Sequence, residues 1–227
     1  MPGYVFSVNK VEVHNNRSKG LHSDSDWLSM LVKINDQSQH VGPFNIGPNI
    51  HGGDVLTGPW TLGPVQISDT DNVSLTYLVV NLGHVDDHNA QLGLAIQVDT
   101  AYIGAVASTA PPWGPVVGAF VAGIGQVIGW VIGQDKSNPN CDGEVLHDAF
   151  EYPPGQLLRQ GTPHTVSNDY TTNTPSECGN PPQTTLIYSI IDASSVKQRM
   201  MIRGFDPSQG FRHIQPAVTS LKSFMTL

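Results

Sequence analysis

Between Asp99 and Asp135 the chain carries no charged side chain, and this interval limits the possible folds more than any other part of the sequence. It belongs to a longer stretch, from Asp86 to Gly133, that reads as two helices joined at Pro111-Pro112-Trp113. On the second helix Gly118, Ala122, Gly125, Gly129 and Gly133 recur at intervals of four, three, four and four. At about 3.6 residues per turn these positions form one stripe, which admits another backbone at close range. Phe120, Ile124, Val127 and Val131 lie roughly opposite, so both sides of the helix avoid water. The expectation is a glycine-rich helical hairpin over 86–133, packed on its own fold, on a partner protomer or in lipid. The stretch from Trp113 to Ile132 is just long enough to cross a hydrocarbon core. Pro115, the glycines and the lack of flanking Lys or Arg clusters argue against a permanent span.

The first half of this hairpin is ambiguous in pattern, because Leu92, Leu94, Ile96 and Val98 alternate as a strand would. A helix over 90–108 is nevertheless expected. Asp86, Asp87 and Asn89 are suited to cap its start, no turn signal interrupts it before Pro111, and it supplies an antiparallel partner for the striped helix. Gly93 and Gly104 fall on one side, where they are placed to meet the stripe.

Strand-like runs occupy 4–14, 27–35, 72–82, 144–152, 184–192 and 196–203. The run at 72–82, alternating and then fully apolar, reads as a central strand. From Gln37 to Pro64, repeated Gly-Pro and Gly-Gly pairs permit only very short strands or extended coil. Only 13% of residues are charged, while 23 Gly and 17 Pro separate the short apolar runs, as in β-rich folds with many turns. These features predict a mainly β protein: one antiparallel β-sandwich over 1–205, interrupted by the hairpin at 86–133, with an irregular tail at 206–227. A net charge of -8 with 11 Lys and Arg argues against nucleic acid as partner.

Acidic residues collect in loops. Asp24 and Asp26 precede one strand, Asp69 and Asp71 precede another, Asp86 and Asp87 follow that one, and Asp142 precedes a fourth. Calcium takes six to eight oxygen ligands, and paired aspartates at neighbouring strand ends can supply them. In general architecture this resembles the C2-type sandwiches that bind calcium between loops. Asp24, Asp26, Asp69 and Asp71 lead the expected ligand set. His84 and His88 are four apart but lack a third ligand at motif spacing.

Cys141 and Cys178 lie in polar, turn-rich sequence and suit one disulfide in an extracellular or periplasmic protein. The opening MPGYVFSVNKVEV alternates like a strand and shows no secretory signal. His147, Asp148 and Glu151 suggest acid/base chemistry, but on a strand neighbours 147 and 148 face opposite sides. No nucleophile elbow, phosphate loop or dinucleotide glycine pattern occurs. The leading expectation is therefore a non-catalytic, calcium-binding sandwich that associates with a partner protomer or membrane through its hairpin. A carbohydrate-binding module is the second reading, and would need Trp60, Trp113 and Tyr152 exposed in a line. A hydrolase is the third, and would need His147, Asp148 or Glu151 to converge with another acid.

Overall fold

Alternating apolar positions become paired strands in the computed structural model, which describes residues 2–16, 24–82, 88–107, 141–157, 164–171 and 181–194. In chain order these are β1 (Gly3–Asn15), β2 (Asp24–Ile34), β3 (Gln37–Ile50), β4 (Val55–Gln66), β5 (Val73–Asn81), helix α1 (His88–Ala107), β6 (Gly143–Tyr152), β7 (His164–Thr171) and β8 (Gln183–Asp192). They form two four-stranded antiparallel sheets, ordered β4-β1-β8-β7 and β3-β2-β5-β6. The arrangement is the expected sandwich, and β1, β2, β5, β6 and β8 stand where the sequence placed strands.

The alternation of β2 and β5 assigns their two faces. Leu28, Met30 and Val32 of β2, with Leu75, Tyr77 and Val79 of β5, join Phe6, Val8, Leu186 and Tyr188 of the other sheet in the main core. The opposite faces present Trp27, Leu31, Leu78 and Val80, which pack with Ala95, Val98 and Tyr102 of α1 in a second cluster. Covered on both sides, β5 is buried along its whole length, which explains the unbroken apolar run from Tyr77 to Val80. The expected helix at 90–108 is present as α1, and its buried positions Gln91, Ala95, Val98, Asp99 and Tyr102 follow the helical period rather than alternation. The second helix of the expected hairpin, with Trp113 and the stripe from Gly118 to Gly133, lies outside the described residues. So do the expected strand at 196–203 and the tail at 206–227.

Two expectations are corrected. The Gly-Pro region is not short strands or coil but the long edge strands β3 and β4. Each Gly-Pro pair coincides with a register shift: Gly42-Pro43 opposite Leu28 to Met30, Gly47-Pro48 opposite Asp24 to Asp26, Gly58-Pro59 opposite Val8 to Lys10, and Gly63-Pro64 opposite Tyr4 to Phe6. Proline is tolerated in a sheet at bulges and edges, where no ladder donor is required, so the pairs interrupt pairing without ending the strand. Glycine is required at Gly63, whose φ is +124° and whose Cβ position would lie 2.5 Å from the Tyr4 carbonyl oxygen. The second correction is β7, which lies between the strand-like runs at 144–152 and 184–192, where no strand was expected. Its sequence, HTVSNDYT, is too polar to mark a strand, yet Val166 and Tyr170 pack on the main core from this edge position.

Candidate functional site

The register of β2 against β5 decides how the aspartates are distributed. Asp26 pairs with Asn81 at one end of this ladder and Ile34 with Val73 at the other. Asp24 and Asp26 therefore sit at the first end, while Asp69 and Asp71, just ahead of Val73, sit at the second. Eight residue steps at roughly 3.3 Å each separate them by more than 20 Å, so these four do not converge on one ion. Among the described residues no three His, Cys, Asp or Glu side chains form a group fit to hold a metal.

Asp71 is occupied in fixing its own loop. Its Oδ2 accepts from the Ser68 backbone N–H at 2.8 Å and its Oδ1 from Asn35 Nδ2 at 2.9 Å. The Ser68 bond first, and then the Asn35 bond, hold its carboxyl below the usual carboxylate range. Because the folded pKa is depressed, this stabilisation is present above the ordinary aspartate pKa and is lost as pH falls through the lowered folded value. Asp71→Ala should cost about 1 kcal/mol near neutral pH. The gap to wild type should close in acid, as read by urea unfolding across a pH series; a gap independent of pH would contradict this role.

The other end is more closed. Asp26 is 1% exposed, Asp142 4% and Asn81 fully buried. Asn81 Oδ1 accepts from the Ser25 N–H at 3.0 Å and its Nδ2 donates to the Cys141 carbonyl at 3.4 Å, stitching β2, β5 and the approach to β6 together. Asp86 and Asp87 follow β5 closely in sequence but lie outside the described residues, as do His84 and the side chains of Asp24 and His88. Cys141 is buried and is not a free thiol. Cys178 lies outside the described residues.

The third constellation does not assemble. Asp148 points into the sandwich, where its Oδ2 accepts from the Tyr170 hydroxyl at 2.9 Å. His147 is on the outer face, with Nδ1 2.5 Å from Glu144 Oε1. The aromatic line is also absent: Tyr152 is buried with its hydroxyl 2.9 Å from that of Tyr188, Trp60 packs on the core, and Trp113 lies outside the described residues.

Sequence reasoning missed the polar residues of the outer face beneath and beside α1. Lys33 and Ser74 are each 4% exposed, and the register places Lys33, Ser74 and Glu151 in one row across β2, β5 and β6. Burial pushes the Lys33 ammonium pKa down and the Glu151 carboxyl pKa up. Nearby, the Tyr102 hydroxyl donates to Thr76 Oγ1 at 2.5 Å and His40 Nε2 lies 2.8 Å from Asp99 Oδ1, so two polar contacts fix α1 on the sheet. Lys33 alternates with the core-facing Val32 and Ile34, but alternation cannot reveal that its own side is buried.

The remaining face of α1 has a different character. Leu92 is 36% exposed and Ile96 48%, and a Cβ built at Gly93 or Gly104 would meet no atom of the described residues within 4 Å. The only charged residue between His88 and Ala107 is Asp99, which is turned inward. No protein-family model and no curated protein matches the chain.

Proposed function

We propose that this protein is a non-catalytic β-sandwich that associates with a partner protomer or a lipid surface through α1 and the apolar stretch that follows it. The observation that supports this reading is the outer face of α1. Leu92, Gly93, Ile96 and Gly104 form an uncharged strip along a helix whose other side is already committed to the sheet. Gln97 and Thr100 are exposed beside it, so this face is uncharged rather than wholly apolar, and Leu92 and Ile96 on it suit contact with a second surface. The sequence continues from that strip into 108–134, which carries no charge. Among the described residues no helix is long and apolar enough to cross a membrane, so the reading is attachment rather than a span by α1.

Calcium belongs to the same proposal in a reduced form. Asp26 and Asp142 share the Asn81 end of the sheet, with Asp24, Asp86 and Asp87 close by in sequence; Asp69 and Asp71 are released from the set. Export follows from the proposed pairing of Cys141 with Cys178, which suits an oxidising compartment.

Two measurements address the two parts, sedimentation and flotation for association and thermal melts for calcium. Sedimentation and flotation with anionic and neutral liposomes, run with calcium and with chelator, should show either a concentration-dependent oligomer or partition into lipid. Leu92→Glu with Ile96→Glu should abolish whichever is seen without lowering thermal stability, since both side chains are already exposed. A monomer that ignores liposomes at every concentration overturns the association. Superimposable melts in calcium and chelator overturn the metal.

A further inference from the structure

The geometry points to a saccharide-binding cleft at the corner of the sandwich where the β2–β3 turn approaches the end of β4, and none of its described lining residues belongs to α1. A cleft of about 880 Å³ opens there, within the roughly 300–1,000 Å³ usual for small-ligand sites. Its floor is aliphatic, made by Val32, Ile34 and Val65, and is continuous with the main core. Its walls carry Gln37, Gln39 and Gln66, with Asp36 on the turn.

The two glutamines of β3 occupy positions that the fold would give to core residues. Gln37 pairs with Ile34 and Gln39 with Val32, and directly opposed residues of an antiparallel pair share a face. Both amides therefore lie on the side of β3 that meets the other sheet, the side occupied further along by Val41 opposite Met30. Aliphatic side chains there would extend the core to the end of the sheet. The amides instead remain exposed, and the corner stays open.

The chemistry of the opening selects its ligand. A primary amide offers donors and an acceptor on neighbouring atoms, matching the paired hydroxyls of a sugar ring, each of which both donates and accepts. The aliphatic floor suits the C–H face of the same ring. Among the described residues no Lys or Arg lines the cleft, and Asp36 stands on its rim, which disfavours anions. Asp71, also in the lining, has both carboxylate oxygens engaged by Ser68 and Asn35, which leaves it poorly suited to take a cation. Those bonds, with the Asn72 N–H donating to Asn35 Oδ1 at 3.1 Å, hold the turn in place before any ligand arrives, so little ordering is left for binding to supply.

The test is titration of the full chain with cellohexaose, maltohexaose, xylohexaose and mannohexaose, followed by calorimetry and by backbone amide shifts. At least one should bind and shift the resonances of the β2–β3 turn and the end of β4. Gln37→Ala with Gln39→Ala should weaken that binding by about tenfold, equivalent to about 1.4 kcal/mol, with an unchanged melting midpoint. Gln97→Ala, on the exposed side of α1, should leave it unchanged. The proposal is overturned if no sugar shifts the cleft at millimolar concentration, if the double variant binds like wild type, or if the loss appears equally in Gln97→Ala. Because Leu92 and Ile96 lie elsewhere, their glutamate variants should retain sugar binding, which separates this site from the association proposed above.

Discussion

Tyr77→Ala is expected to lower stability by about 3–5 kcal/mol, the range for removing a large buried aromatic. Tyr77 is fully buried on β5, at the centre of the main core. Its ring centroid lies 5.6 Å from Phe150, 5.8 Å from Tyr188 and 6.2 Å from Tyr170, the last in an edge-on arrangement. It thus joins β5 and β6 of one sheet to β7 and β8 of the other, and among the described residues neither β6 nor β7 has a neighbour on its far side. Its hydroxyl lies 2.5 Å from that of Tyr170, which in turn donates to Asp148. Tyr77→Phe should cost only about 1 kcal/mol, because Tyr170 keeps its bond to Asp148. Guanidinium unfolding of the two variants separates ring from hydroxyl. A loss below about 1 kcal/mol for the alanine would refute the central role given to this ring. Burial also raises the pKa of Tyr77, Tyr170 and Tyr188. Their neutral forms are thus favoured in the fold, so stability should fall as pH rises above about 10, where the unfolded chain ionises them.

Cys141→Ser is the second large expected effect, a loss of about 3–4 kcal/mol under oxidising conditions on the chain-entropy account of a loop this long. Cys141 immediately precedes β6 in one sheet, and Cys178 lies in the sequence shortly before β8 in the other. A bridge between them would join the two sheets independently of the core. Intact-mass measurement after alkylation without reductant gives the direct answer. No added alkyl group is expected, and two would remove the bridge from the account. Reductant should lower the midpoint of wild type to that of Cys141→Ser and leave the variant unmoved.

The strands that the sequence revealed are those whose two faces differ, or whose two faces are both covered. β1 and β2 alternate, and β5 turns fully apolar from Tyr77 to Val80 because α1 covers the side that faces water in a simple sandwich. β3 and β4 were hidden by their Gly-Pro pairs, since local turn chemistry looks the same whether a chain turns or bulges. β7 was hidden because an edge strand with one exposed face needs few apolar residues. The separation of Asp24 and Asp26 from Asp69 and Asp71 was hidden for a different reason. A D-x-D pair before a strand shows that a loop is there, but which end of the sheet it occupies depends on strand direction and register. The cleft was invisible for the same reason: Gln37 and Gln39 are unremarkable in sequence until their pairing with Ile34 and Val32 places them on the inner face.

The bulged margins of β3 and β4 also limit how the molecule can aggregate. A free strand edge is a template on which another chain can dock by backbone pairing, and regular, flat edges are the ones that seed fibrils. Along this side Pro43, Pro48, Pro59 and Pro64 remove amide donors at intervals, and each sits where the ladder slips by a residue. An incoming strand would lose register before it had formed a few bonds. Strand-by-strand growth is therefore disfavoured on this side, where β3 and β4 form the margins of the two sheets.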